Sequence, residues 1–233
     1  RIWPLPNQIH RYILDSLVRS SNLMLQIETA IQMSEPRIMK IVHIDSSIAG
    51  REATSSILAK SVVDQLVQNK EAQIHYRDLN QENLGHLSNE IFTGFQLEAE
   101  QRNTVQQTAV KRSDGYITEL QDADALVLGV PMYNFSVPSP LKAWIDHVAR
   151  AGVSFRYGEN GPEGLLNVKK AYVVATRGGQ YANSDFDHQT PWLEQVLKFV
   201  GIQEVEFIYA EGQAGANAEQ AVQVAQQKIA QLV

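Results

Sequence analysis

Five short apolar runs, each followed by a stretch with helical spacing, organise the chain from Met39 onward and leave few folds open. Met39 to Asp45 (Met-Lys-Ile-Val-His-Ile-Asp), residues 73–79, Ala125 to Pro131, Lys170 to Thr176 and residues 205–209 read as strands. The run Ala-Leu-Val-Leu-Gly-Val-Pro at 125–131 is the most apolar and is predicted to be central, because a strand buried on both faces loses its polar alternation. Helical spacing is expected over 54–69, 98–120, 139–151, 191–200 and 216–232, with Pro140 in a first turn and Gly201 closing the fourth helix. Residues 80–95 are polar and irregular and read as an excursion loop. Strands alternating with helices predict an α/β protein: a doubly wound, five-stranded parallel sheet with helices on both faces.

The first segment is different in kind. The chain opens on Arg rather than Met, Pro4 and Pro6 are poor element interiors, and Ser20-Ser21-Asn22 interrupts the helical spacing that begins at Ile9. Residues 1–38 are expected to be an N-terminal extension outside the fold, with residues 39–233 as the domain and Met39 as the native start. The chain of 233 residues has no Cys, which excludes disulfides, Cys-type zinc sites, thiolate-held clusters and a Cys nucleophile. That absence fits a reducing compartment, and a cytoplasmic location is expected. A net charge of −6 argues against nucleic acid as a partner. No apolar stretch approaches the roughly 18 residues of a membrane span.

In an open parallel sheet, ligands bind beyond the carboxyl ends of the strands, so the residues there carry the chemistry. After the first strand, Ser46-Ser47 and Ala53-Thr54-Ser55-Ser56 run into a helix start, whose free N–H groups suit a phosphate as well as simple capping. After the third comes Pro131-Met132-Tyr133-Asn134-Phe135-Ser136-Val137-Pro138-Ser139-Pro140, an apolar, proline-stiffened loop with one amide, suited to a flat heteroaromatic ring or to packing on its own core. After the fourth, Thr176-Arg177-Gly178-Gly179 lets backbone N–H groups approach a ligand, or forms an ordinary turn. Each signal is weak alone; three in register at successive strand ends are not. No Walker A loop and no G-x-G-x-x-G occurs.

From about Met39 to its end the sequence resembles the FMN-dependent NADH azoreductase / NADH:quinone oxidoreductase family, of flavodoxin-like fold. The resemblance rests on Pro131 to Phe135, Leu141-Lys142-Ala143-Trp144-Ile145-Asp146, Arg150 to Tyr157, Glu159 to Gly164 and Thr176 to Gly179, in that order. It implies that Ser47, Ala53, Thr54 and Ser55 hold the FMN phosphate. It places Met132, Tyr133, Asn134 and Phe135 beside the isoalloxazine, and Thr176, Arg177, Gly178 and Gly179 along its pyrimidine edge. It puts Tyr157 and Phe199 in the wall of a substrate pocket across a homodimer interface. Two departures from the pattern stand out: Ala53 replaces a common hydroxyl residue, and Tyr181 occupies a place where some members have His near the flavin. The implied activity is two-electron, ping-pong transfer from NADH through flavin N5 to quinones or azo compounds, protecting against electrophilic quinones, with no catalytic side chain and no metal. NADH is favoured over NADPH because no Arg-rich site for a 2′-phosphate is evident.

Other chemistries fit less well. Asp146 and His147 are neighbours on a helix and point about 100° apart, so they form no relay. No G-x-S-x-G elbow and no H-x-x-x-H pair is present. His43 lies inside a strand and reads as a core residue, and His188 stands in a loop before a helix. The polar face of 98–111 reads as solvated, and Trp144 and Trp192 fit either core or dimer interface. A one-electron flavodoxin-type carrier is the alternative to an enzyme; a stable semiquinone would mark it.

Overall fold

The structure is a computed structural model that describes residues 38–68 and 70–232. The extension expected over 1–38 therefore falls, but for Ile38, outside the described residues. Five parallel strands form one sheet: β1 (Met39–Asp45), β2 (Ala72–Asp78), β3 (Ala125–Pro131), β6 (Lys170–Thr176) and β7 (Glu204–Ala210), in the order β2-β1-β3-β6-β7. A separate antiparallel hairpin pairs β4 (Phe155–Gly158) with β5 (Gly161–Gly164). Six α-helices accompany them among the described residues: α1 (Thr54–Leu66), α2 (Asn89–Gln96), α3 (Thr104–Asp122), α4 (Ser139–Val148), α5 (Gln189–Phe199) and α6 (Ala218–Ile229).

All seven residues of β3 are buried, as a central strand requires. Side chains alternate across it. Leu126, Leu128 and Val130 join Val42, Ile44, Tyr116, Leu141, Trp144 and Leu193 in one core under α3, α4 and α5. Val127 and Ala125 join Ile41, Leu58, Val62, Val174 and Ile229 in the other, under α1 and α6. Burial of these side chains is the main stabilising term, at roughly 1.5–3 kcal/mol for each large one. Trp144 is therefore a core residue, tilted against the Tyr116 ring at 6.3 Å.

Three local readings change. The 80–95 excursion contains α2, capped by the Ser88 hydroxyl, which accepts the Ile91 N–H at 3.2 Å. Its apolar spacing is only eight residues long, too short to stand out from a polar loop. The helix expected from residue 98 starts at Thr104 instead, after a 3₁₀ turn at Ala99–Gln101, because Asn103 and Gln106 form a capping box there. The hairpin β4–β5 was not legible as strands, since Gly158, Gly161 and Gly164 dilute its pattern.

Gly129 in β3 has a specific role. A Cβ there would lie 2.8 Å from Asp45 Oδ1 and 3.1 Å from the Ser55 carbonyl oxygen. Only a residue without a side chain lets the first turn of α1 close onto the sheet beside the end of β1.

Candidate active site

The strand order reverses between β1 and β3, which leave the sheet through different connections, so the crevice at their carboxyl ends is where a ligand is expected. Three segments converge there.

The first follows β1. Ser47 is buried; its hydroxyl accepts the Ala49 N–H at 3.2 Å and shares a hydrogen bond with the Tyr133 hydroxyl at 3.1 Å. A 3₁₀ turn at Gly50–Glu52 leads to Ala53, which caps α1 with no side-chain hydrogen bond. The first-turn N–H groups of Thr54, Ser55 and Ser56 thus open the helix without a side-chain cap, at its partially positive end. The Ser55 hydroxyl is buried and unpartnered among the described residues. A buried hydroxyl left unpaired at a helix N-terminus is a donor set aside for an acceptor that binds there.

The second follows β3. Met132 donates its N–H to the Thr176 carbonyl at 2.8 Å, tying this loop to the end of β6. Tyr133 and Ser136 then exchange both backbone hydrogen bonds, at 3.1 and 3.0 Å, around a two-residue turn. Asn134 and Phe135 sit at φ 51° and 63°, the left-handed pair such a turn demands. For Phe this is costly backbone, and the turn holds both side chains exposed at the crevice.

The third follows β6. Gly178 and Gly179 have no partner for their N–H groups among the described residues. The Arg177 N–H, by contrast, is spent on the Ala210 carbonyl at 3.1 Å, and the Thr176 carbonyl on Met132. The Arg177 side chain turns inward and is fully buried. It pairs with Asp187 and Glu211, reaches the Gln189 amide oxygen and the Thr190 hydroxyl, and stacks over Tyr209 at 5.0 Å. Its charge is thus used inside the protein, and backbone N–H groups remain as the open donors of this segment. Burial alone would raise the Asp187 carboxyl, but the Thr190 N–H, the Arg177 guanidinium and the Thr190 hydroxyl outweigh it and hold it below the ordinary carboxylate value. Glu211 Oε1 also accepts the N–H groups of Tyr181 and Ala182, at 2.8 and 2.9 Å. Tyr181 meets Phe135 edge-on at 5.7 Å, so the second and third segments touch.

Beside Met132, Tyr133 and Asn134 lies an open cavity of about 870 Å³. Ile48, His86, Leu87 and Lys142 also line it. Lys142 belongs to the Leu141–Asp146 run that carries the family resemblance; Ile48, His86 and Leu87 were given no role from the sequence. His86 and Leu87 arrive on the 80s loop, which Glu82 anchors by accepting from Arg77 and from the Tyr116 hydroxyl. No local pattern announces a loop held in part by Tyr116, 34 positions away. Tyr157 and Phe199 lie elsewhere: each meets Phe155, at 5.7 and 4.4 Å, and neither lines this cavity. Tyr157 is 76% exposed. His147 is buried, with Nδ1 2.8 Å from the Ala143 carbonyl of its own helix, and Asp146 pairs with Lys142.

No group of three potential metal ligands occurs among the described residues, and no described helix is long and apolar enough to cross a membrane.

The sequence matches the model of the flavodoxin-like fold family over residues 39–233. It is 47% identical over 173 residues to the FMN-dependent NADH:quinone oxidoreductase of Paraburkholderia phymatum, covering 74% of this chain and 87% of the relative. It is 43% identical over 196 residues to an FMN-dependent NADH:quinone oxidoreductase 2 of Pseudomonas fluorescens, covering 83% and 98%. Among solved structures it is similar in fold to an azoreductase from Bacillus anthracis, with a TM-score of 0.74 and 23% identity over 84% of this chain and 98% of that one.

Proposed function

The chain belongs to the FMN-dependent NADH:quinone oxidoreductase family, of flavodoxin-like fold, and from that premise we propose that the crevice binds FMN and carries NADH-driven reduction of quinones and azo compounds. The observation that carries this reading is the convergence of open donors: the buried Ser55 hydroxyl, the uncapped first turn of α1, and the N–H groups of Gly178 and Gly179. When bound, FMN would supply hydride acceptance from NADH at N5 and two-electron delivery to the acceptor, one substrate replacing the other in ping-pong order.

The chain's own residues bind and position. Ser55 and the N–H groups of Thr54 to Ser56 hold the phosphate at the positive end of α1. Ser47 locks Tyr133 through their hydroxyls, so that the Met132–Phe135 turn presents a rigid surface to the ring. The N–H groups of Gly178 and Gly179 meet negative charge at the pyrimidine edge, as preorganised dipoles that need no reorganisation. No side chain has to act as acid or base. Tyr157 and Phe199 complete the substrate pocket from a second copy in a homodimer, and the exposure of Tyr157 supports that reading. The role is protective, removing quinones in the cytoplasm in single two-electron events.

The test is the absorbance spectrum of the purified protein followed by anaerobic NADH. A yellow protein that bleaches in one step and recovers with a benzoquinone is expected. Bleaching through a long-lived one-electron state would move the function to electron carriage. A colourless protein that FMN does not reconstitute overturns the proposal.

A further inference from the structure

Arg77 on β2, Glu82 in the loop that follows and Tyr116 on α3 meet in a latch. Arg77 Nη1 donates to Glu82 Oε1 at 2.5 Å, and the Tyr116 hydroxyl donates to Glu82 Oε2. The guanidinium also lies over the Tyr116 ring, 4.6 Å from its centre. Both oxygens of the Glu82 carboxylate are thus engaged in charge-assisted bonds, the strong kind. Burial and that carboxylate hold the Tyr116 hydroxyl well above the ordinary phenol value, so Tyr116 remains a neutral donor. Arg77 does not depend on Glu82 for its place. Its Nε and Nη2 pair with both oxygens of Glu119, at 2.7 and 2.5 Å, and this second pair already joins β2 to α3. What the Glu82 bonds add is the position of the loop.

That loop shapes the cavity beside Met132. Asn83 follows the latch in the left-handed region, at φ 45°, and Leu84 packs on the core under α3 and α4. The chain then carries His86 and Leu87 to the cavity wall before Ser88 caps α2. Ser55, Gly178 and Gly179, the donors assigned to FMN, do not line this cavity. Its space therefore lies beyond the phosphate and pyrimidine contacts, next to the Met132–Asn134 turn. Ile48 and Leu87 give it apolar surface, and Lys142 is engaged by both oxygens of Asp146, at 2.6 and 2.7 Å. The exposed His86 ring has no hydrogen-bond partner among the described residues and has an N–H to offer. Such walls suit a flat, uncharged molecule with a carbonyl oxygen at its edge.

Resting on the quinone-reductase reading of the crevice, we infer that Arg77, Glu82 and Tyr116 are positioning residues: they fix His86 and Leu87 as the wall on which the quinone lies, and so set the affinity for the acceptor. None of the three lines the cavity, so they act only through the loop.

The test uses the full chain loaded with FMN. Glu82→Ala frees the loop and leaves the Arg77–Glu119 pair in place; Tyr116→Phe removes one donor from the same carboxylate. Chymotrypsin cutting after Leu84 and Leu87, identified by mass spectrometry, should speed up roughly tenfold in Glu82→Ala, the worth of a hydrogen bond to a charged group. The KM for 1,4-benzoquinone should rise several-fold, with kcat and FMN affinity within about twofold of the parent, as loss of acceptor binding requires. Tyr116→Phe should act in the same direction and add nothing in the Glu82→Ala background, because both touch one contact. Glu82→Gln, which keeps an acceptor in place, should recover part of the KM. Unchanged cutting overturns the latch. Faster cutting with an unchanged KM overturns its effect on the acceptor, and weaker FMN binding with an unchanged KM assigns the loop to the cofactor instead. A parent that takes up no FMN overturns the crevice reading and the acceptor role together; its spectrum shows this, whereas the other outcomes occur in a flavin-loaded protein.

Discussion

The Arg177 guanidinium, shut off from solvent, meets the Asp187 carboxylate in a two-pronged pair, Nη1–Oδ2 3.0 Å and Nη2–Oδ1 3.0 Å. With Glu211 at 3.1 Å on the same Nη1, this pair clamps the loop after β6 against the end of β7. It explains how a glycine pair in an irregular loop can hold two N–H groups in fixed directions.

Removing one partner of a buried pair strands the other charge. Asp187→Ala should cost about 3 kcal/mol, near the lower end for such pairs because Glu211 still reaches the guanidinium. Urea unfolding of the two proteins measures it; a loss below 1 kcal/mol would show that the clamp carries little.

The same pair has a pH signature. The Asp187 carboxyl is held below its unfolded value, so its contribution is complete above the unfolded pKa of about 3.9 and is lost as pH falls through the folded one. Melting temperature followed from pH 6 downward should fall less steeply below pH 4 for Asp187→Asn than for the parent. Parallel curves would refute this.

The Ser55 hydroxyl has no partner among the described residues, so Ser55→Ala should leave thermal stability unchanged. It should weaken FMN by roughly tenfold or more, the worth of a hydrogen bond to a charged group. Flavin fluorescence titration reads the affinity. Equal affinities would remove Ser55 from the phosphate site.

Gly129→Ala would set a methyl group against Asp45 Oδ1 and the Ser55 carbonyl. Overpacking of this kind costs about 1–3 kcal/mol. Because the strain falls on the first turn of α1, FMN affinity should drop along with stability; a loss of stability alone would separate the two.

Tyr157 is exposed and, among the described residues, its one ring contact is with Phe155, so Tyr157→Ala should unfold like the parent as an isolated chain. If a second copy covers it, the substitution should shift sedimentation toward monomer and raise the KM for quinone while FMN stays bound. An unchanged dimer and KM would exclude Tyr157 from the interface.

The alternation of apolar runs and helical spacing was enough to predict the five-stranded parallel sheet, because a strand buried on both faces cannot be polar and a crossover helix must show one apolar stripe. That Ser47, Met132 to Phe135 and Gly178-Gly179 lie just beyond strand ends, and Thr54 and Ser55 at the start of the helix after β1, could be read locally, since each position depends only on where its own element begins or ends. Which donors stay open was not legible. Arg177 was expected along the pyrimidine edge with its neighbours, but the fold spends its N–H on Ala210 and its side chain on Asp187 and Glu211, residues 10 and 34 positions away. His86 and Leu87 reach the crevice only because Arg77 and Tyr116 hold Glu82. A cavity lined by Ile57, Val63, Ile74 and Tyr76 exists only once α1 is laid against the edge strand β2. Periodicity and turn chemistry act between neighbours in sequence, so the sequence alone determined the five strands of the sheet and the helices with a long apolar stripe, though not the short α2, the glycine-diluted hairpin or the start of α3; hydrogen-bond pairing and cavities are settled between elements, and only the tertiary structure decides them.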